Sequence, residues 1–187
     1  MSPIQTLAFP LVLSSVSRTV HTKGETEDFR SKIKAEAVIK NINEFLYVIR
    51  RLHKLVDIKP ITDVCLFREG VQPMWEDPEN LEGGKWIFKM RKNTAEQRLF
   101  ESLIMWMGAC PFKTMIVNGV LISVRGHQTI LSLWTKTCPG SPAEFAAQEA
   151  EIRDVLKLKQ MIPVIFKGND ESLRDRSSFR QPVKPTS

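Results

Sequence analysis

The stretch that decides the fold is Asp63–Met90, with the sequence DVCLFREGVQPMWEDPENLEGGKWIFKM. Two prolines, Pro73 and Pro78, interrupt it. Each proline fixes its own φ angle and pushes the preceding residue out of the helical region, so the segment between them cannot be regular. The sequence therefore predicts a loop over Met74–Asp77.

The predicted loop displays Trp75 directly before Glu76. A purine site needs a flat ring on which the base stacks and a fixed acceptor for the N–H groups at the base edge. Stacking of a base on an aromatic side chain contributes roughly 1–3 kcal/mol, and a cationic base adds cation–π attraction. The pair indicates a purine-binding site, and the alternative is a strand-loop-strand segment with a core tryptophan.

The composition is that of one globular domain. The chain has 187 residues, 42% hydrophobic and 26% charged, and this length suffices to bury a core without a metal or disulfide. The formal net charge of +6 favours an anionic partner such as RNA, although a basic solvated surface explains it almost as well. Cys65, Cys110 and Cys138 lack CxxC spacing, which favours a reducing compartment over a disulfide framework or a zinc site.

The first residues leave more than one interpretation open. Residues 1–24 are apolar, serine-rich and free of acids. The basic segment of a secretory signal is absent, and Pro3 and Pro10 disfavour the amphipathic helix of a mitochondrial presequence. We expect instead a first strand over about Thr6–Ser14, with Pro10 at an edge or a bulge. No run reaches the roughly 18 apolar residues of a membrane span.

Hydrophobic periodicity predicts strands and helices along the rest of the chain. Further strands are predicted at about 32–39, 85–91, 119–124, 130–135 and 161–166. Helices are predicted at about 42–56, 95–107 and 142–158. A loop at about 18–28 and a loose tail over about 168–187 complete a single domain spanning 1–187. This order indicates an α+β fold, with three α-helices packed on the convex face of a curved, largely antiparallel sheet of about eight strands.

Specific residues support the helix assignments. Asn41 with Glu44, and Ser141 with Glu144, have the spacing of N-terminal capping boxes, and Gly108 is expected to end the middle helix. That helix carries two adjacent apolar rows, whereas one row is enough to hold a helix on a sheet. The second row is predicted to face another surface, for which a partner protein is one candidate.

A longer motif surrounds the loop. The run LFREGVQPMWED over Leu66–Asp77, continued by Asn80 and by GGKW over 83–86, closely resembles the central segment of the eukaryotic translation initiation factor 4E family, which binds the 7-methylguanosine cap of messenger RNA. The similarity is clear from about Phe29 to Thr135. It implies a cupped-hand fold that binds capped mRNA on its concave side, in a cytoplasmic, monomeric protein.

The resemblance implies roles in base recognition. The cationic guanine would lie between Trp75 and Phe29, and because the family usually has tryptophan at the second position, the sandwich is expected to weaken by on the order of 1 kcal/mol. Glu76 would accept hydrogen bonds from the guanine N1 and N2 groups, and Trp134 would touch the N7-methyl group. Alternatively, Phe29 is a core residue at the start of a strand, and Trp134 is a core residue of a hairpin.

The phosphate positions depart further from the family. Arg125 matches the principal phosphate arginine, and Lys85 replaces another arginine. His127 and Ile130 stand where lysines are usual. Because histidine is mostly neutral at neutral pH, the resemblance implies a weaker and more acid-dependent phosphate clamp, unless His127 is simply a solvated turn residue.

The resemblance also implies a protein-binding strip on the convex face, which takes a short helical motif from a factor 4G-like scaffold or from a competing repressor. Leu46 stands where the family has a signature tryptophan, so the partner contact is expected to differ. A place in the core is the alternative for these side chains. The matching positions are Ile42, Leu46, Phe100, Glu101, Ile104 and Met107.

No catalytic constellation, metal site or cofactor motif is visible, since the sequence lacks a Gly-rich phosphate loop, an HExxH motif and a nucleophile elbow. The favoured function is a non-enzymatic module that binds mRNA caps and recruits mRNA for translation initiation through a scaffold. Phe29, Leu46 and Ile130 suggest the alternative, a divergent cap-binding repressor that does not engage the scaffold. A decapping hydrolase would require an acidic metal cluster that the sequence lacks.

Overall fold

The computed structural model describes residues 6–17, 29–52, 62–91, 94–109, 112–125, 128–158 and 162–177. The strands are β1 Thr6–Ser17, β2 Ile33–Asn41, β3 Thr62–Arg68, β4 Gly84–Arg91, β5 Val117–Val124, β6 Gln128–Thr135 and β7 Val164–Gly168. The helices are a 3-10 turn Phe29–Lys32 and α1 Ile42–Arg51, α2 Thr94–Ala109, α3 Pro142–Leu156 and α4 Asn169–Asp175. The strands form one antiparallel sheet in the order β2-β1-β3-β5-β6-β4-β7.

Successive side chains along each strand point to opposite sides of the sheet, and one side carries the main core. We call it the helix face, because side chains of α1, α2 and α3 join those of the strands in one buried cluster there. Burial of this apolar surface is the principal force that holds the helices on the sheet. Members from the strands include Leu66, Trp86, Phe88, Val120, Ile122, Leu131 and Leu133, and members from the helices are Phe45, Leu99, Phe100, Leu103, Ile104, Met107, Ile152 and Leu156.

The opposite side, here the open face, carries a second and smaller cluster. It contains no residue of an α-helix within the described ranges. Ile33 at the start of β2 and Trp75 of the loop pack partly buried against it. The buried members are Val16, Cys65, Phe67, Val71, Leu121 and Trp134.

The predicted capping boxes are confirmed. The side chain of Asn41 accepts a hydrogen bond from the Glu44 backbone N–H at 3.0 Å. Ser141 Oγ accepts from the Glu144 N–H at 3.2 Å, and Glu144 Oε2 accepts in return from the Gly140 N–H at 2.8 Å. These bonds satisfy N–H groups that have no partner inside the helix, so local sequence fixes where α1 and α3 begin.

The predicted end of the middle helix was wrong, because α2 continues through Gly108 to Ala109. A Cβ atom at Gly108 would lie 2.9 Å from the ring of Phe45. Glycine therefore allows α1 and α2 to approach closely at this position instead of terminating the helix. Both apolar rows of α2 contribute to the helix-face core.

The predicted loose tail was also wrong in its first part, where α4 forms. Contacts with β7 and with the loop between β3 and β4 hold this helix in place. Lys167 Nζ pairs with Asp175 Oδ2 at 2.5 Å, and Asn169 Nδ2 donates to the Asn80 carbonyl at 2.8 Å. Residues 178–187 lie outside the described part of the chain.

Pro10 lies at a bulge in an inner strand. β1 is flanked by β2 and β3, so the edge position considered for Pro10 does not apply. The register with β2 shifts between Thr6 and Leu11, which is how a strand accommodates a residue without an N–H donor. The predicted loop over about 18–28 falls outside the described ranges.

The predicted fold class is confirmed: the protein has an α+β fold with a curved antiparallel sheet. Seven strands occur within the described ranges where about eight were predicted, and α4 adds a fourth helix to the three expected. None of the described helices is both long and apolar enough to cross a membrane.

Candidate ligand site on the open face

The loop between β3 and β4 is held by its own buried side chains. Asp77 accepts hydrogen bonds from the backbone N–H groups of Gln72 and Glu79, both at 2.9 Å. Asn80 Nδ2 donates to the carbonyls of Gln72 at 2.8 Å and Met74 at 2.9 Å. A loop whose backbone groups are satisfied by buried side chains has one favoured shape, so the residues at its tip are positioned in advance.

Two further asparagines tie this loop to the sheet. Asn118 Nδ2 donates to the Glu79 carbonyl at 2.6 Å and to Asn80 Oδ1 at 3.0 Å, and Asn169 contacts Asn80 from α4. Sequence reasoning missed Asn118 and Asn169 as supports of the site. The available signal was a fully apolar neighbourhood around Asn118 in MIVNGVLI, since a buried amide there requires hydrogen-bond partners.

The loop presents Trp75 and Glu76 differently. Trp75 is half-buried and lies against the open-face cluster. Glu76, the next residue, is exposed. The aromatic ring is thus fixed on the sheet while the neighbouring carboxylate remains accessible, as a base-edge acceptor requires.

Trp134 of β6 belongs to the same cluster and is buried. The Phe67 ring meets it edge-on, with centroids 5.6 Å apart and planes at 69°. Gly119, directly opposite both residues in the sheet, makes room for this pair, because a Cβ atom there would lie 2.3 Å from the Phe67 ring. A side chain at position 119 would therefore displace the support of Trp134.

Lys85 lies between the two tryptophans. It is directly opposite Trp134 in the β4–β6 register, and its Nζ atom lies 4.8 Å from the ring centroid of Trp75 and 4.8 Å from that of Trp134. The residue is only 1% exposed. Both distances are within the range of cation–π attraction, so a buried ammonium links the two aromatic rings of the site.

Arg125 is partly exposed at the end of β5, and its Nη1 donates to Asp63 Oδ1 at 3.0 Å. Asp63 is completely buried. A planar guanidinium has further donors beyond the one used here. Nη1 also donates to the Val124 carbonyl at 3.3 Å. These contacts hold one edge of the guanidinium on the open face and leave Nη2 and Nε as further donors for an anion.

The remaining predicted phosphate positions have different outcomes. Ile130 is buried and lies directly opposite Lys89 in the β4–β6 register. Lys89 shares the open face with Lys85, because the two are four residues apart on one strand. His127 lies outside the described residues. Sequence reasoning missed Lys89, and the signal was the period-two alternation of β4.

Phe29 is described only by its backbone, which begins the 3-10 turn before β2. Four residues later, Ile33 packs on the open-face cluster. The turn thus brings the chain to the face that carries Trp75 and Trp134. The pairing of Phe29 with Trp75 remains a prediction.

Comparison with known proteins identifies the family. A family model described as eukaryotic initiation factor 4E matches residues 11–184. The chain belongs to the initiation factor 4E family. The resemblance seen around the Trp75 loop is confirmed over nearly the whole sequence.

Curated relatives of the initiation factor 4E family agree. The chain is 31% identical over 166 residues to eukaryotic translation initiation factor 4E-4 of Caenorhabditis elegans, covering 87% of this chain and 76% of the relative. It is 33% identical over 156 residues to eukaryotic translation initiation factor NCBP of Oryza sativa subsp. japonica, covering 83% and 68%.

Solved structures of the family confirm the fold. The chain is similar to C. elegans eIF4E-3 in its complex with the 4E-binding protein Mextli and a cap analog, with a TM-score of 0.79, 17% identity and coverage of 92% of this chain and 96% of that one. It is also similar to Ascaris suum eIF4E-3 in its complex with the m2,2,7G cap, with a TM-score of 0.77, 20% identity and coverage of 89% and 92%.

The helix-face positions that the initiation factor 4E resemblance assigned to a partner are mostly buried. Phe100, Ile104 and Met107 are 2%, 1% and 1% exposed and belong to the core cluster. Ile42 and Leu46 are half-buried, and Glu101 is exposed. Among the described side chains of α1 and α2, the large apolar ones that are exposed are instead Tyr47 and Met105. The role of the six predicted positions in partner binding remains a prediction.

Proposed function

We propose that this initiation factor 4E family member is a non-catalytic cytoplasmic module that binds the 7-methylguanosine cap of mRNA and recruits mRNA for translation initiation through a 4G-like scaffold. The observation that carries the proposal is the arrangement of the open face. Trp75 and Trp134 both lie 4.8 Å from the Lys85 ammonium, while Glu76 beside Trp75 is exposed. We expect the protein to act as a monomer without a membrane partner.

The base would be recognised at the loop. A 7-methylguanine carries a positive charge, so it gains both stacking and cation–π attraction between Trp75 and Phe29. Trp134 would contact the N7-methyl group. Glu76 would accept from N1 and N2 of guanine, and charge-assisted hydrogen bonds of this kind are about twice as strong as neutral ones.

The phosphates would extend from the base along the open face. Arg125 offers guanidinium donors at the end of β5, and Lys85 and Lys89 add positive charge along β4. We propose that His127 contributes when protonated, so that phosphate binding strengthens at mildly acidic pH. The similar structures support this use of the fold, because they are of relatives bound to a cap analog and to m2,2,7G and m7G caps.

Retention on an immobilised 7-methyl-GTP resin tests the proposal. The unaltered protein should be retained, and free 7-methyl-GTP should elute it at a much lower concentration than GTP. Trp75→Ala should lower affinity about 10- to 100-fold through loss of stacking. Glu76→Ala should abolish the preference for guanine, because the edge N–H donors lose their acceptor.

Two control variants match these changes. Glu69→Ala removes an exposed acid from the start of the same loop, and Trp106→Ala removes a half-buried tryptophan from the helix side. Both should be retained like the unaltered protein. Equal elution by GTP and 7-methyl-GTP, or no retention at all, would contradict cap binding by this site.

A second candidate function is a cap-binding repressor that does not engage a scaffold. The burial of Phe100, Ile104 and Met107 favours it, because these side chains as they stand offer no surface to a partner helix. A 4E-binding helix could still reach exposed Glu101 and Met105 on α2. The two functions therefore differ in whether the helix side binds an amphipathic peptide.

Calorimetric titration of a 4E-binding peptide into the cap-loaded protein separates the two. Scaffold recruitment predicts binding that Glu101→Lys weakens and that the matched Asp154→Lys change on α3 leaves intact. The repressor function predicts no heat of binding together with full retention on the cap resin. Peptide binding insensitive to Glu101→Lys would place the partner elsewhere.

A further inference from the structure

The ammonium group of Lys85 lies close to the same tryptophan ring on which a cationic base would stack. Its ammonium is 4.8 Å from the centroids of both Trp75 and Trp134, and the residue is 1% exposed. The negative electrostatic potential of an aromatic face attracts any cation within about 6 Å. An internal cation therefore interacts with the two rings of the proposed site.

We propose that Lys85 is a selectivity-determining residue that restrains the preference of this site for positively charged bases. The inference rests on the proposed cap-binding function and concerns the discrimination between methylated and unmethylated guanine. The positive charge of Lys85 would weaken binding of the cationic base and strengthen binding of the anionic phosphates.

The disfavourable effect follows from the position of the charge. A cationic base stacked on Trp75 would share that ring with the Lys85 ammonium, and two like charges on one ring repel each other. Salt does not screen this repulsion well, because Lys85 is buried and buried charges are screened much less than exposed ones. An uncharged guanine stacks on the same ring without this repulsion.

The favourable effect uses the same charge. Phosphates that leave the base along β4 would approach Lys85 and Lys89, and they are attracted by a nearby cation regardless of whether the base is methylated. Removal of the Lys85 charge therefore shifts the affinities for a cationic nucleoside and for an anionic nucleotide in opposite directions. A residue that only filled space between the tryptophans would shift both in the same direction.

The test uses Lys85→Met, which keeps an unbranched side chain of similar length and removes the charge. The ligands are 7-methylguanosine, which has a cationic base and no phosphate, and GTP, which has phosphates and a neutral base. We expect Lys85→Met to bind 7-methylguanosine about 3- to 10-fold more tightly and GTP several-fold more weakly. The ratio of affinities for 7-methyl-GTP and GTP should rise by the same 3- to 10-fold, because the phosphate contribution cancels in it.

Lys85→Arg and Lys157→Met serve as controls. The first keeps the charge at the rings and should keep the ratio of the unaltered protein. The second removes one exposed lysine from the end of α3 and should change neither affinity. Lys85→Gln replaces Lys85→Met in the same measurements if circular dichroism shows that the methionine variant does not fold.

The outcomes distinguish this inference from the function on which it rests. If the unaltered protein binds 7-methyl-GTP but the ratio in the neutral variants is unchanged or lower, the selectivity role is overturned and cap binding stands. Equal weakening for 7-methylguanosine and GTP would show a purely structural lysine and would also overturn it. Absence of binding by the unaltered protein would remove both proposals.

Discussion

The two sides of strand β4 use adjacent residues in opposite ways. Trp86 points to the helix face, where it is fully buried and packs on the rings of Phe145 at 4.8 Å and Phe166 at 5.0 Å. Its Nε1 donates to Gln148 Oε1 at 3.3 Å. Lys85 points to the open face and is equally buried, but its ammonium group lies between the rings of Trp75 and Trp134.

The comparison separates a ring that stabilises the fold from the two rings of the proposed ligand site. On the helix face, the indole N–H of Trp86 has a hydrogen-bond acceptor, and the ring packs on the rings of Phe145 and Phe166. On the open face, Trp134 Nε1, Ser123 Oγ and Ser132 Oγ are buried without a hydrogen-bond partner in the described part of the chain. Buried polar atoms without a partner are not confined to this face, because Trp106 Nε1 on the helix side also lacks one among the described residues. The contrast between the faces therefore rests on the surroundings of Trp86 and Lys85.

The largest expected effect tests this division directly. Trp86→Ala should lower the free energy of unfolding by about 3–5 kcal/mol, since it removes a fully buried ring from the core. Trp134→Ala should cost less stability, while it should weaken 7-methyl-GTP binding about tenfold or more. Urea denaturation and fluorescence titration of both variants check the prediction, and equal stability losses would contradict the contrast between the faces.

A second prediction concerns Asn80, which shapes the loop between β3 and β4. Asn80→Ala removes an amide that donates to Gln72 and Met74 and accepts from Asn118, so it should cost about 2–3 kcal/mol of stability. Because the same bonds shape the loop that carries Trp75, cap affinity should fall as well. Glu79→Ala, an exposed change in the same loop, should leave affinity nearly unchanged in the same fluorescence titration.

A third prediction concerns a positive charge on the open face, which is removed at Lys89 and added at position 130 on the neighbouring strand. Lys89→Met should weaken 7-methyl-GTP binding by about 1 kcal/mol and leave 7-methylguanosine binding unchanged, because its cation would act on phosphate. Ile130→Lys, added on the strand directly opposite, should restore the lost affinity. Titrations at two salt concentrations check this, since the salt dependence should decrease in Lys89→Met and recover in the double variant.

The smallest expected effect lies on the helix side and depends on pH. Burial by itself raises the pKa of Glu151, but hydrogen bonds from the Thr114 hydroxyl and from the backbone N–H groups of Lys113 and Thr114 outweigh it, so the pKa lies below its ordinary value. The ionised form is thus favoured in the folded protein. Its contribution is present at neutral pH and is lost as pH falls through the pKa of the folded state.

The matched experiment is urea denaturation of Glu151→Gln and of the unaltered protein at several pH values. We expect Glu151→Gln to cost about 1 kcal/mol at pH 7 and progressively less as the pH falls through the lowered pKa of the folded state, where the carboxyl group becomes protonated. A difference that does not depend on pH would mean that packing rather than charge is responsible. Cap affinity at pH 7 should be unaffected, because Glu151 lies on α3, away from the open face.

Several features were predictable because their causes are local. The capping pairs at Asn41 and Ser141 and the irregular loop between Pro73 and Pro78 all depend on residues a few positions apart. The Trp75-Glu76 pair was similarly visible. The errors came from long-range packing: Gly108 is set by the Phe45 ring, and α4 is held by contacts with Asn80 on a distant loop.

The sequence by itself determined the family, the α+β class, the order of strands and helices as far as β7, and the residue types offered to a ligand, because periodicity, caps and motifs act over short stretches of chain. Only the tertiary structure decided which of these residues meet. Strand register places Lys85 opposite Trp134, and the asparagine network brings Trp75 to the same ammonium. Such contacts join residues dozens of positions apart, and local spacing does not encode them.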